Sequence, residues 1–396
     1  MADMNSTSDT KGVASRPPLS SWHQRRRAAA VCTMLLLGLT SSDGTTAETI
    51  RVAVALPLSG AHSALGRDVK AAVELAVADY RTRTGAANYD VEISWHDDAC
   101  SSDGGEIAAK AITANASALP YAVIGHACPS AADAAAPIYG SAGVAFIAAG
   151  TLPARVASQQ RFGTRHFRVP GGGTQGALIG AALADAGNGA RIAFVRDRTQ
   201  FSQSELQPAA AMLAAHGRII LAIETFVGAE KDFARIAQRL NTANITHVAL
   251  AAFPSEAVLL VAELRKANPA LVIFATDQLA DPSFALASGG MANGVQVALA
   301  PSVDMYPRAR IVAQRLQDGG SVPSRTALSS YVAVEIVTAL ANAHALADGA
   351  FPLEAVTADT FSTVLGPIRF GATGAADLPS YVFYTWKDGK LLPPPG

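Results

Sequence analysis

Two residues of this 396-residue chain stand where covalent chemistry could be done: Cys100, in HDDACSSD, and Cys128, in GHACPSAAD. Each falls where an apolar, strand-like run gives way to a helical pattern. A nucleophilic Cys128 would need a general base and a reducing setting. His126 is close to it in sequence, but no Cys–His pair is expected. The other arrangements are two buried free thiols or a cross-link. A second chemical signature is GGGTQG, where Gly171, Gly173 and Gly176 satisfy the G-x-G-x-x-G spacing of a dinucleotide fingerprint. It follows the strand-like RHFRV and opens a helix, with Asp197 ending a strand about 20 residues on. Hydrolytic and metal signatures are missing. There is no G-x-S-x-G elbow, and the 8 histidines show no H-E-x-x-H or similar ligand spacing. No catalytic residue and no metal ligand is therefore assigned.

The elements that carry these residues follow from apolar periodicity. TIRVAVALP (49–57), YDVEISWHDDA (89–99), YAVIGH (121–126) and VAFIAA (144–149) are short apolar runs, as expected of strands buried on both faces. Between them, GRDVKAAVELAVADYRTRTG (66–85), GEIAAKAITANA (105–116) and SAADAAAPIYGSAG (130–143) repeat apolar residues at helical spacing. After RHFRVPGGGTQG the rhythm restarts. Helices are expected over 177–187, 204–217, 232–243 and 255–268, with strands over 191–197, 219–226, 246–253, 271–277 and 294–300. A long helix from Arg325 and the terminal pair GPIRF and YVFYTWKDGK are too few for a third domain, so they return to complete the first two. This alternation predicts an α/β fold with two Rossmann-like lobes, each a parallel sheet flanked by helices. Right-handed crossovers place the carboxyl ends of the strands along one edge, where ligands bind in open α/β sheets.

Composition narrows the class. Only 16% of residues are charged, the formal net charge is −1, and half are hydrophobic, so there is no basic surface for nucleic acid. The first 47 residues read as a leader: a polar stretch, Arg25 to Arg27, the apolar AAAVCTMLLLGLT, then Thr45, Thr46 and Ala47 as a cleavage site. The mature chain would start near Glu48, outside the cytoplasm, where a nicotinamide cofactor is scarce. Cys32 leaves with the leader. Cys100 and Cys128 remain, an even count in an oxidising compartment, and a bridge between them is the better expectation.

Six words in this order resemble the leucine/isoleucine/valine (branched-chain amino acid) binding proteins of bacterial ABC transporters, with the type I periplasmic-binding fold. They are LSG at 58–60 followed by Gly66, DDAC at 97–100, VIGHAC at 123–128, GAEKDFARIAQRL from Gly228, SSYVAVEIVTAL around Tyr331, and VLGPIRF at 364–370. The resemblance runs from about Ile50 to Lys390. It implies a disulfide between Cys100 and Cys128 and three hinge crossings, near 169–173, 300–304 and 371–379. Residues 48–169 plus 302–372 would form one lobe and 170–301 plus 373–396 the other, after a leader over 1–47. It implies a periplasmic monomer without a cofactor, not an enzyme. Such a protein closes its lobes over a small-molecule solute and delivers it to an ABC permease and ATPase at the inner membrane. A ligand-sensing receptor of the same fold is the alternative, and an exported NAD-dependent oxidoreductase a remote one.

An amino acid zwitterion needs donors for its carboxylate and acceptors for its ammonium. Ser130, after Cys128, is placed either for the carboxylate or as an ordinary helix N-cap. Ala149, Gly150 and Thr151 match the family's backbone and hydroxyl contacts. Asp277 and Gln278 compete for the position of the family's ammonium-binding carboxylate. Departures are evident at Pro129, where the family has serine, and at Phe201 and Phe253, where it has tyrosines; Leu65 replaces another aromatic. These losses of polar groups imply a greasier pocket, suited to an aromatic or aliphatic carboxylate, an amide or a less polar solute.

Overall fold

ETIRVAVAL folds as strand β1 (Glu48–Leu56), which lies between β2 (Tyr89–Asp97) and β3 (Ala122–Gly125). With β4 (Ala145–Ala148) and β5 (His166–Arg168) these make a five-stranded, fully parallel sheet of order β2-β1-β3-β4-β5. This computed structural model describes residues 48–84, 89–150, 165–169, 172–344 and 351–395. The expected leader (residues 1–47), Thr151 and Gly171 lie outside them.

Alternate residues of β1 serve different cores because successive side chains point to opposite faces. Ile50, Val52, Val54 and Leu56 pack with helix α1 (Ser63–Thr84), including Val69 and Val73. Ala53 and Ala55 face the layer formed by α2 (Ser102–Thr113) and α3 (Pro129–Ala142), whose bulk comes from Ile112 and Tyr139. The small residues Ala131, Ala132, Ala135 and Ala136 form the buried face of α3.

The second layered unit holds helices α4 (Gln175–Asp185), α5 (Gln200–Ala215), α6 (Ala234–Thr242), α7 (Pro254–Ala267) and α8 (Pro282–Ala287). They alternate with strands β6 (Ile192–Asp197), β7 (Ile220–Phe226), β8 (His247–Ala251), β9 (Val272–Ala275) and β10 (Val295–Leu299). The chain then returns to the first core through α9 (Pro307–Asp318) and α10 (Arg325–Ala343), which contribute Val312, Leu316, Tyr331 and Ile336. Helix α10 is apolar enough to cross a bilayer by composition, yet it is buried at every position from Ala327 to Thr338. Its apolarity is that of a core helix. Helix α11 (Leu353–Ala358) and the hairpin β11 (Phe361–Thr363) and β12 (Gly366–Ile368) follow on the same core. Strands β13 (Val382–Lys387) and β14 (Lys390–Leu392) then join the second sheet antiparallel, giving the order β14-β13-β10-β9-β8-β6-β7.

The chain thus passes between the sheets three times: after β5, after β10 and before β13. The last passage comes late. Ala375 bridges Arg168, Ala376 is buried in the first core and Leu378 packs against it, so the chain leaves that core only after Leu378.

Two expectations are corrected. The helix expected from Ser204 starts at Gln200, because Thr199 caps it with a hydroxyl that accepts the Ser202 N–H at 3.1 Å. Phe201 therefore lies in its first turn. The GGGTQG motif does not close a βαβ unit, since β5 belongs to the first sheet while α4 packs on the second through Ile179 and Leu183. Gly176 serves helix packing instead: a Cβ there would sit 2.1 Å from the carbonyl oxygen of Glu205.

Candidate functional site

In the first sheet the site is built on the turn after β2. Ala99 and Cys100 adopt left-handed backbone, at φ 46° and 56°, which costs non-glycine residues on the order of 1 kcal/mol each. Three devices hold them there. Asp97 Oδ1 accepts the N–H groups of Ala99 and Leu58 at 2.9 Å and of Ser59 at 3.3 Å. Burial pushes the Asp97 carboxyl up, but the Ser59 hydroxyl and then these backbone N–H groups hold it below its ordinary value. Asp98 Oδ1 accepts the N–H of Cys100 at 2.9 Å. The disulfide from Cys100 to Cys128, with Cα atoms 5.2 Å apart, ties the turn to the start of α3.

Behind the disulfide lies a buried polar chain. His126 Nδ1 is 2.7 Å from Asp98 Oδ2, and His126 Nε2 is 3.0 Å from the Tyr139 hydroxyl. The side chains of Asp98 and His126 are fully buried. His126 is thus a structural residue facing Asp98 and Tyr139, with both ring nitrogens engaged.

Helix α3 begins with Cys128 as its N-cap, which supplies no side-chain cap, and with Pro129 in its first turn. A proline costs nothing there because that N–H is unpaired in any helix. Ser130 is not the N-cap. It sits one residue inside the helix, and its exposed hydroxyl donates to the Cys100 carbonyl at 3.2 Å. The next strand end, β4, lies alongside: the Ala149 N–H donates to the Gly125 carbonyl at 3.3 Å. Gly150 is pressed against the β3 turn, where a Cβ would meet the carbonyl oxygens of His126 and Ala127 at 2.7 and 2.8 Å. Ser130, Ala149 and Gly150 are therefore brought together at the carboxyl edge of the first sheet. Leu65 is half-buried against the first core.

The second group lies at the carboxyl edge of the second sheet. Strands β9, β8 and β6 are neighbours, so the residues that follow them form a row. Asp277 opens the turn after β9, Phe253 caps α7 after β8, and Phe201 is in the first turn of α5 after β6. Both phenylalanines are solvent-exposed, at 46% for Phe201 and 49% for Phe253, which a core role would not allow. The Asp277 side chain is exposed and makes no hydrogen bond or ion pair among the described residues. Gln278 is occupied differently, its amide oxygen accepting the Thr276 hydroxyl. Of the two competitors, Asp277 is the free acceptor.

Two neighbours of Asp277 carry no sequence signal. Gln175, at the start of α4, accepts the Asp277 backbone N–H at 2.7 Å. Glu205 lies one helical turn beyond Phe201 on the same face of α5. Burial and then the charge of Asp277 push its carboxyl above the ordinary range. Only the tertiary approach of α4 and α5 to the turn after β9 reveals them.

The family model described as "Periplasmic binding protein" matches residues 49–390 of the 396. The chain belongs to the periplasmic binding protein family. A similar protein is the Leu/Ile/Val-binding protein homolog 2 of Brucella abortus, 26% identical over 364 residues, covering 91% of this chain and 96% of that one. The Leu/Ile/Val-binding protein of Escherichia coli is 25% identical over 349 residues, 88% of this chain and 93% of that one. Among solved structures, a candidate branched-chain amino acid ABC transporter protein from Rhodospirillum rubrum aligns with a TM-score of 0.69 at 21% identity, covering 87% of this chain and 99% of that one. That likeness shows the α/β fold that the alternating pattern predicted, of the type I periplasmic-binding class that the resemblance implied.

Proposed function

We propose that this periplasmic binding protein is the extracytoplasmic component of an ABC importer, and that it captures a small amino acid-like or carboxylate solute without altering it. Residues 1–47 direct export, and the mature chain works as a periplasmic monomer that presents its closed form to a permease and ATPase. The two layered units act as lobes hinged at three crossings, the last of them after Leu378. Ser130, Ala149, Gly150 and Thr151 face the solute from one lobe; Phe201, Phe253 and Asp277 face it from the other.

The observation that carries this reading is the Asp277 carboxylate, left without a partner in a row with two exposed aromatic rings. A carboxylate beside apolar rings suits an ammonium attached to an apolar body. The backbone N–H groups in the first turn of α3 suit its carboxylate. The Brucella relative's name points to branched-chain amino acids, and the phenylalanines here favour a less polar member of that chemical range.

A thermal-shift screen of the purified protein against amino acids, aromatic acids, amides and short aliphatic acids tests the proposal. A specific solute at 100-fold over its dissociation constant stabilises by about 2.7 kcal/mol. Turnover of the captured compound, or no stabilisation by any of these classes, would overturn it.

A further inference from the structure

Between the second and third crossings the protein holds a cavity of about 180 Å³, lined by none of the residues assigned above to the solute. Its walls are mainly apolar. Pro301 comes from the second crossing, Pro379 from the third, Leu378 from the edge of the first core just before it, and Leu328 from α10. The polar groups on this wall include Arg325, the first residue of α10, and Tyr306.

The guanidinium of Arg325 is underused. It has five N–H donors, and among the described residues its one hydrogen bond goes to the Ser380 carbonyl at 2.9 Å. Arg325 is solvent-exposed, and partial burial of its head group holds its basicity below the ordinary value. With no ion pair among the described residues, this cation on the cavity wall is open to an anionic partner. The planar fork fits a carboxylate in two-point contact. A bare inorganic anion would leave the proline and leucine walls unfilled. A neutral hydrocarbon would leave the guanidinium unpaired.

We propose that this hinge cavity is a second ligand site, for a small monocarboxylate with an apolar body, its carboxylate on Arg325 and its body against Leu328, Leu378 and Pro379. Because Pro301 and Pro379 lie on two crossings, the occupant touches segments that rotate when the lobes close.

The probe is 4-fluorophenylacetate, followed by fluorine NMR titration of the purified protein. Saturable binding is expected to weaken at least tenfold in Arg325→Gln. A similar loss is expected in Leu378→Trp, which fills the cavity from a half-buried position and guards against a folding defect in the first variant. The double variant Phe253→Ala/Asp277→Ala should leave this binding within twofold. The neutral analogue 4-fluorophenethyl alcohol should bind at least tenfold more weakly. No saturable binding, or binding indifferent to both hinge variants, overturns the proposal. So does binding lost in the Phe253/Asp277 variant and kept in the hinge variants.

Discussion

The side-chain oxygen of Gln175 accepts the backbone N–H of Asp277 at 2.7 Å, joining the first turn of α4 to the end of β9. Gln175 is itself buried, so this bond fixes the turn from which the Asp277 carboxylate projects. Asp277→Ala is expected to weaken an amino acid solute by about 10- to 100-fold, the range for a hydrogen bond to a charged group. The same change should leave the matching acid without its amine within twofold. Gln175→Ala should act in the same direction, more weakly, by loosening the turn. Isothermal titration with both solutes checks this, and equal losses for the two would refute the assignment of Asp277.

Glu205 gives a pH signature. Its carboxyl is pushed up by burial and then by Asp277, from an ordinary value of 4.5. Stability linked to such a group is complete below the unfolded value and is lost as pH rises through the folded one. Glu205→Gln should therefore raise the melting temperature at neutral pH, with the gain vanishing below 4.5. A gain that persisted in acid would show that charge relief is not its source.

Loss of the disulfide should be felt in both stability and binding. The Cys100–Cys128 bridge closes a sequence separation of 28 residues, for which the chain-entropy account gives about 3 to 4 kcal/mol. Urea denaturation of Cys100→Ser/Cys128→Ser against the oxidised protein measures it. Solute affinity should fall in parallel, because the left-handed turn at Ala99 and Cys100 loses its tether.

The buried chain behind the bridge makes a separate prediction. Asp98→Ala removes the partner of His126 and of the Cys100 N–H in one step. Buried polar groups left unpaired cost about 3 kcal/mol or more here. Asp98→Asn, which keeps both an acceptor and the side-chain volume, should lose less than half as much in the same denaturation measurement.

The order of elements and the edge on which the site lies were legible in the sequence because each buried strand is a short apolar run flanked by helix-period segments. The positions of Asp277, Phe201 and Phe253 at strand ends followed from that pattern. What stayed hidden depends on how one element sits against another. Glu205 is near Asp277 because α4 lies on α5 at Gly176, and no spacing along the chain reports that approach. The start of α5 at Gln200 puts Phe201 and Glu205 one turn apart on a helix; with the helix begun at Ser204 that relation disappears. His126 was not expected to pair with Cys128, but nothing in the sequence named its actual partners, which come from the turn after β2 and the last turn of α3. Thr151 lies outside the described residues and stands as a proposal with its neighbours.

The late return of the chain sets the order of assembly. Strand β13, which pairs with β10, comes from residues Val382–Lys387. Its Trp386 is buried and donates to the Leu279 carbonyl at 2.7 Å. Neither layered unit is therefore a continuous stretch of polypeptide, and neither can be excised whole with a single cut. A ribosome must pass Lys387 before the larger sheet receives β13. Until then the nascent polymer keeps an open β10 flank, and any premature stop before Val382 would leave that flank bare.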